Sequence, residues 1–251
     1  MTPALLIALF GGLVIGSFVT VVGYRVPRGE SIVGPRSRCT TCGAQIAAYD
    51  NVPVFSWAFL CGRSRCCDDP ISARYPLTEL SLGLLYVTAV AVLWGDPVEI
   101  ALGLVFVTTL LAVTLTDLER RVIPNKILLA AAVAGVAIAA LGDPASLPER
   151  ALAAVAAGGG LFLVALAYPR GMGLGDVKLV AVMGLYLGRN VAPAILVALI
   201  AGSAVGLLLI ARHGAGARKR AIPFGPFLAL GGVVGLLAGD QLVDLYLSTF
   251  S

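Results

Sequence analysis

The sequence predicts an all-α polytopic membrane protein of about eight transmembrane helices, with a small cytoplasmic zinc-binding-type loop domain between the first and second. Three observations carry this. Long apolar runs recur along the chain, with 59% of residues hydrophobic and 13% charged, where soluble domains run near ~45–50% and ~25%. Basic residues gather on alternate loops. All 5 cysteines crowd into positions 39–67.

The candidate spans are residues 3–24, 77–94, 98–116, 125–141, 151–168, 177–188, 191–211 and 222–247. In a bilayer such segments are helices, because each must satisfy its own backbone hydrogen bonds. The opening run has no basic n-region and no clear cleavage site, so it reads as a retained helix rather than a signal peptide. Glycine and alanine along the spans predict close helix packing.

Eight spans put successive loops on alternate sides. Of the 18 Lys and Arg residues, all but Arg150 and Arg189 fall on one side. That side holds the basic residues from Arg25 to Arg74, then Arg120, Arg121 and Lys126, then Arg170, Lys178, Arg212, Arg218, Lys219 and Arg220. Cytoplasmic loops retain such an excess, which predicts both termini on the outer side. The net charge of +4 then marks the cytoplasmic face rather than a nucleic-acid site.

Residues 25–76 form a polar cytoplasmic insert, too small for a large core of its own; such domains usually need a metal or disulfides. In a reducing cytoplasm a metal is the expected staple. The sequence thus divides into a first helix (1–24), the cysteine-containing loop (25–76) and a membrane domain (77–251).

Two aspartates stand out. Asp117 follows the third span in "TLTDLERRVIPN", and Asp176 precedes the sixth in "GMGLGDVKL". The sixth span offers only about twelve residues before Gly188, roughly 18 Å, so Asp176 is expected inside the hydrocarbon zone. An ionisable residue there is costly and a functional candidate with a partner to be named; Asp117 is that partner. Two carboxylates sharing a site cannot easily both ionise, so one stays protonated. The ionised member takes a proton from water while the protonated one polarises a peptide carbonyl, which is aspartyl-protease chemistry. Glycines at 171, 173 and 175 let backbone approach backbone. Other readings remain open on spacing alone: Asp176 as a helix cap, Asp117 as a surface charge beside Arg120 and Arg121, or the pair as a transporter's proton relay.

"GLGDVK" resembles the Gly-x-Gly-Asp-x-Lys motif of the type IV prepilin peptidase family, and "DLERRVIPN" its first aspartate motif. "GSFVTVVGYRVP" (16–27), "CTTC" (39–42), "NVPVFSW" (51–57) and "PISARYPLTE" (70–79) resemble further family segments, with Thr20 where Asn is usual. The resemblance implies that Asp117 and Asp176 are the catalytic pair, supported by Gly173, Gly175 and Lys178. It implies cleavage of prepilins or pseudopilins after a glycine, at the cytoplasmic face of a bacterial inner membrane. It also implies N-methylation of the new amino terminus from S-adenosylmethionine, with Gly62 and Glu79 at positions tied to that activity.

The family's second cysteine pair is altered. "SRCCDDPIS" puts Ser64 and Cys67 at its two positions, leaving Cys61 and Cys66 as extra thiols. Cys39 and Cys42 offer two thiolates from one tight turn, half of a tetrahedral Zn²⁺ site, and Cys67 is the expected third ligand. Neighbouring residues of an extended chain point apart, so Cys61 rather than Cys66 is expected as the fourth. The alternative is a degraded site of free thiols. Against the peptidase stand a presenilin-like aspartyl protease, which lacks reason for the cysteine loop, and a proton-coupled transporter, which calls for polar residues at mid-helix.

Overall fold

The computed structural model describes residues 1–34, 36–168, 172–214 and 222–249. The chain forms two compact units, Met1–Val92 and Leu93–Ser251. Among the described residues there is no β-strand, only isolated bridges at Arg38–Gln45 and Arg63–Pro70. Seven segments among the described residues are long and apolar enough to cross a membrane. The sixth, Leu174–His213, holds two helices, so the eight expected apolar helices are all present.

In the first unit, α1 (Thr2–Arg25) runs into a 3₁₀ turn at Val26–Arg28, which Gly29 ends at φ 71°. The polar insert follows, with a short α2 (Phe55–Phe59), and leads into α3 (Arg74–Val92). Helices α1 and α3 pack through small residues. A Cβ on Gly12 would lie 2.7 Å from Gly83 Cα, and one on Gly16 2.8 Å from Glu79 Cα. Such contacts bring backbones together where lipid offers no hydrophobic drive between helices. Because α3 packs on α1, the boundary between units falls after Val92, whereas the sequence division at 76/77 assigned this helix to the larger domain.

The second unit begins with α4 (Pro97–Arg120), capped by Asp96, whose carboxylate accepts from Val98 and Glu99 N–H at 2.9 and 3.0 Å. Proline at the first helical position suits this start. Helix α4 stops at Arg121, a left-handed residue at φ 54°. Then come α5 (Asn125–Gly142), α6 (Leu147–Ala167), α7 (Leu174–Leu187), α8 (Val191–His213) and α9 (Gly225–Ser248). Their shared core includes Phe106, Leu110, Leu179, Met183, Ala194 and Leu228.

Helix α7 has only 14 residues and ends at Gly188, φ 53°, as the short sixth span predicts. Its last turn is tied to three neighbours. The Tyr186 ring stacks on Phe106 of α4, centroids 5.1 Å apart, and its hydroxyl donates to the Ala131 carbonyl of α5 at 2.7 Å. Buried Arg150 of α6 donates to the Tyr186 carbonyl at 2.6 Å and pairs with Glu99 of α4. A cation buried this way needs both a counter-charge and an acceptor.

Glycine seams also join the helices of this unit. A Cβ on Gly184 of α7 would sit 2.7 Å from the Ala153 carbonyl carbon and oxygen of α6. Backbone atoms cannot swing aside, so Gly184→Ala is expected to cost about 1–3 kcal/mol, read as a lower unfolding temperature in detergent. Gly159→Ala, where nothing lies within 4 Å of the added carbon, is expected not to lower that temperature, since alanine is the better helix former.

Candidate functional site

The two aspartates come together at one end of the second unit. Asp117 lies in the last turn of α4, 6% exposed. Asp176 lies in the first turn of α7, half-buried. The Asp117 charge acts directly on Asp176. Its burial argues against Asp117 being a surface charge, although Arg121 also acts on it electrostatically. Asp176 receives the Gly173 backbone N–H, the reach-back of a capping-box residue, so the capping role coexists with its place in the pair.

A partner unforeseen from sequence completes this end. The N–H of Gly225, at the start of α9, donates to Asp117 Oδ2 at 2.8 Å across 108 residues of chain. A Cβ on Gly225 would fall 2.8 Å from that same oxygen, so the position has room only for glycine. The one sequence signal was Gly225 standing between prolines in "PFGPF", a strong backbone punctuation at the entry to an apolar run.

Gly173 and Gly175 come closest to side chains rather than backbone, and neither adopts positive φ. A Cβ on Gly173 would approach Asp176 Oδ2 to 3.2 Å, and one on Gly175 would approach Ile123 Cβ to 3.1 Å. Lys178 is exposed and donates to Asn125 Oδ1 at 3.0 Å, linking the two aspartate motifs. Gly171, Arg170 and the Arg218, Lys219, Arg220 cluster lie outside the described residues.

In the first unit, two hairpins bring the cysteines together. Cys39 N–H donates to the Ala44 carbonyl at 2.8 Å, and Gly43 N–H to the Cys39 carbonyl at 3.0 Å. The second hairpin repeats this with Ser64 N–H to Asp69 at 2.8 Å and Asp68 N–H to Ser64 at 2.9 Å. Gly43 and Asp68 both adopt positive φ, 73° and 60°. Each loop is a knuckle of the same shape, with Ser64 standing where Cys39 stands in the first.

The thiols of Cys39, Cys42, Cys66 and Cys67 all lie within 4.8 Å of one another. Cys66, not Cys61, is thus the fourth member. The expectation failed because residues 64–67 are turned rather than extended, so Cys66 and Cys67 share the knuckle tip. Cys61 precedes the Arg63–Pro70 bridge, closing α2 at φ 52°. Pairs sit at 3.5 Å (Cys39–Cys67), 3.2 Å (Cys42–Cys66) and 3.9 Å (Cys66–Cys67). Four thiolates about 2.3 Å from one tetrahedral ion stand roughly 3.8 Å apart, so the group fits a metal. The Cys42 and Thr41 backbone N–H groups, with the Cys67 thiol, hold Cys39 down to about 6, while hydrogen bonding to Cys42 pushes Cys66 up to about 12.

Gly62 and Glu79 also belong to this unit. Gly62 is buried at φ 72°, and a Cβ there would meet the Trp57 ring at 3.0 Å. Glu79 is 7% exposed, and its Oε2 accepts from the Val54 N–H at 2.7 Å.

Comparison with known proteins matches these units separately. Residues 10–93 match the model of the bacterial peptidase A24 N-terminal domain, and residues 104–211 that of the type IV leader peptidase family. The chain is 35% identical to a prepilin leader peptidase/N-methyltransferase of Aeromonas hydrophila, covering 98% of this chain and 94% of that protein. Proteins of the same name from Burkholderia pseudomallei (strain K96243) and Bacillus subtilis (strain 168) are 35% and 33% identical, with 92% and 94% of this chain covered and 84% and 95% of theirs. No solved structure matches the chain.

Proposed function

The chain belongs to the type IV leader peptidase family, and we propose that it is a membrane aspartic endopeptidase cleaving prepilin or pseudopilin leaders through Asp117 and Asp176. The observation that carries the assignment is the pairing of these two carboxylates at one end of a helical unit with an apolar core. Their chemistry follows from sharing one site. The ionised carboxylate takes a proton from water as its oxygen bonds to the scissile carbonyl carbon. The protonated one donates to the carbonyl oxygen. The C–N bond then breaks, the amine leaving with a proton from the dyad. Gly225 N–H steadies Asp117 throughout, leaving its other oxygen for water or substrate.

The dyad faces the cytoplasm and both termini face out, a reading supported by the distribution of Lys and Arg. The outer-side exceptions fit it: Arg150 pairs with Glu99, and Arg189 with Asp240 at 3.0 Å. A cytoplasmic dyad suits a substrate whose basic leader stays inside while its apolar segment lies in the bilayer.

The four-thiol cluster holds Zn²⁺ as a structural staple; a sulfur-only tetrahedral donor set suits that ion. The loop that it braces serves N-methylation of the new amine from S-adenosylmethionine, with Gly62 and Glu79 in that half of the enzyme.

Mass spectrometry of a prepilin incubated with purified enzyme, with and without S-adenosylmethionine, tests both activities. Asp117→Asn and Asp176→Asn are each expected to lower cleavage by at least about 100-fold with membrane insertion intact; substantial turnover by either removes the assignment. Gly225→Ala is expected to impair cleavage by displacing Asp117. Rate should fall at low pH, where both carboxylates are protonated and no base remains, and at high pH, where both ionise and no acid remains.

Elemental analysis is expected to find one zinc per chain, lost with Cys39→Ala or Cys67→Ala, reduced with Cys66→Ala and retained with Cys61→Ala. Full zinc in Cys39→Ala would refute the cluster as its site. Zinc loss should lower methylation more than cleavage, because both aspartates lie outside the loop.

A further inference from the structure

The loop between α1 and α3 contains a backbone outlier that neither the dyad nor the metal cluster requires. Val54 sits at φ 62°, ψ −50°, and the Phe55 N–H reaches the Pro53 carbonyl at 2.6 Å. These values describe a γ-turn of the rare positive-φ kind. A β-branched residue is strained there and persists only when its surroundings hold it. The N–H of Val54 itself donates to Glu79 Oε2 at 2.7 Å.

Glu79 is well placed to hold it. Its carboxylate also accepts from the Ser17 hydroxyl of α1, and its Cα lies at one of the close approaches of α1, opposite Gly16. The acceptor is therefore fixed by the α1–α3 seam, and the side chain is too enclosed to meet a substrate.

What the turn controls lies immediately downstream. Val54 launches α2, with Ala58 N–H donating to the Val54 carbonyl at 3.0 Å. Trp57 of α2 donates from Nε1 to the Ile71 carbonyl at 2.9 Å. Its ring occupies the space that a Gly62 side chain would need, and Gly62 N–H returns to the Trp57 carbonyl at 2.9 Å.

We propose that Glu79 is a positioning residue for methyl transfer: through the Val54 N–H it holds the strained turn that sets α2, and thereby Trp57, against Gly62, and it acts as a hydrogen-bond acceptor rather than as a base or counter-charge. This rests on the methyl-transfer reading above. It differs from a direct role because an acceptor need not be charged.

The test uses the full-length enzyme, a prepilin and S-adenosylmethionine, scoring cleavage and methylation by mass and backbone hydrogen exchange over residues 53–62. Glu79→Ala should lower methylation by about 10-fold, the scale of losing one buried hydrogen bond, speed exchange and leave cleavage unchanged. Glu79→Gln, whose amide oxygen still accepts from Val54, should keep methylation and slow exchange. Val54→Gly added to Glu79→Ala should restore both, since glycine adopts positive φ without strain. Loss of methylation in Glu79→Gln equal to that in Glu79→Ala, or failure of Val54→Gly to restore it, would overturn the proposal. If the wild-type enzyme transfers no methyl group, the methyl-transfer reading fails instead. Exchange then decides the positioning role: faster in Glu79→Ala and reversed by Val54→Gly supports it, and unchanged exchange refutes it.

Discussion

The length of α7 constrains the rest of the second unit. Fourteen residues rise roughly 21 Å, well short of a ~30 Å hydrocarbon core. The far end of the helix is pinned by Tyr186 against α4 and α5 and by Arg150 from α6. Its near end carries Asp176, half-buried in the first turn. Asp117 is its partner, and the N-terminus of α9 supplies Asp117 with a donor. The meeting of the two carboxylates goes with a short helix whose first turn lies beside the last turn of α4.

The same unit shows how membrane helices are joined without a hydrophobic drive between them. Gly184, Gly231 and Gly235 meet neighbouring backbone or alanine so closely that a methyl group would collide. The last turn of α7 adds polar bonds, from Tyr186 to α5 and from Arg150 of α6. In the first unit the small loop relies on two knuckles, a four-thiol cluster and a carboxylate from α3. A segment of this size cannot bury enough apolar surface to order itself, so each of these anchors counts.

Much of this was legible in the sequence because it was written in local pattern. Apolar run length marked the helices, and the brevity of the run after Asp176 marked α7. That Asp117 and Asp176 lie at the same end followed from the alternation of spans; the burial of Asp117 did not. The hydrogen bond from Gly225 was not legible, since no local rule links residues 108 positions apart. Cys66 was misjudged because its knuckle repeats the first one with serine in place of the leading cysteine. Only the folded turn reveals that the next thiol swings into the gap. The packing of α3 on α1 was likewise hidden, because Gly12, Gly16 and Gly83 look like any other membrane glycines until their partners are known.

In the proposed mechanism Asp117 and Asp176 act as one catalytic unit rather than as two independent contributors. Groups that work as a unit are grossly non-additive when removed. The most direct measurement is the cleavage rate of Asp117→Asn, Asp176→Asn and the double variant on one prepilin under one set of conditions. If the two carboxylates work as one unit, the double variant is no slower than the worse single one. Losses that multiply, so that the double variant falls by the product of the two single effects, would contradict it.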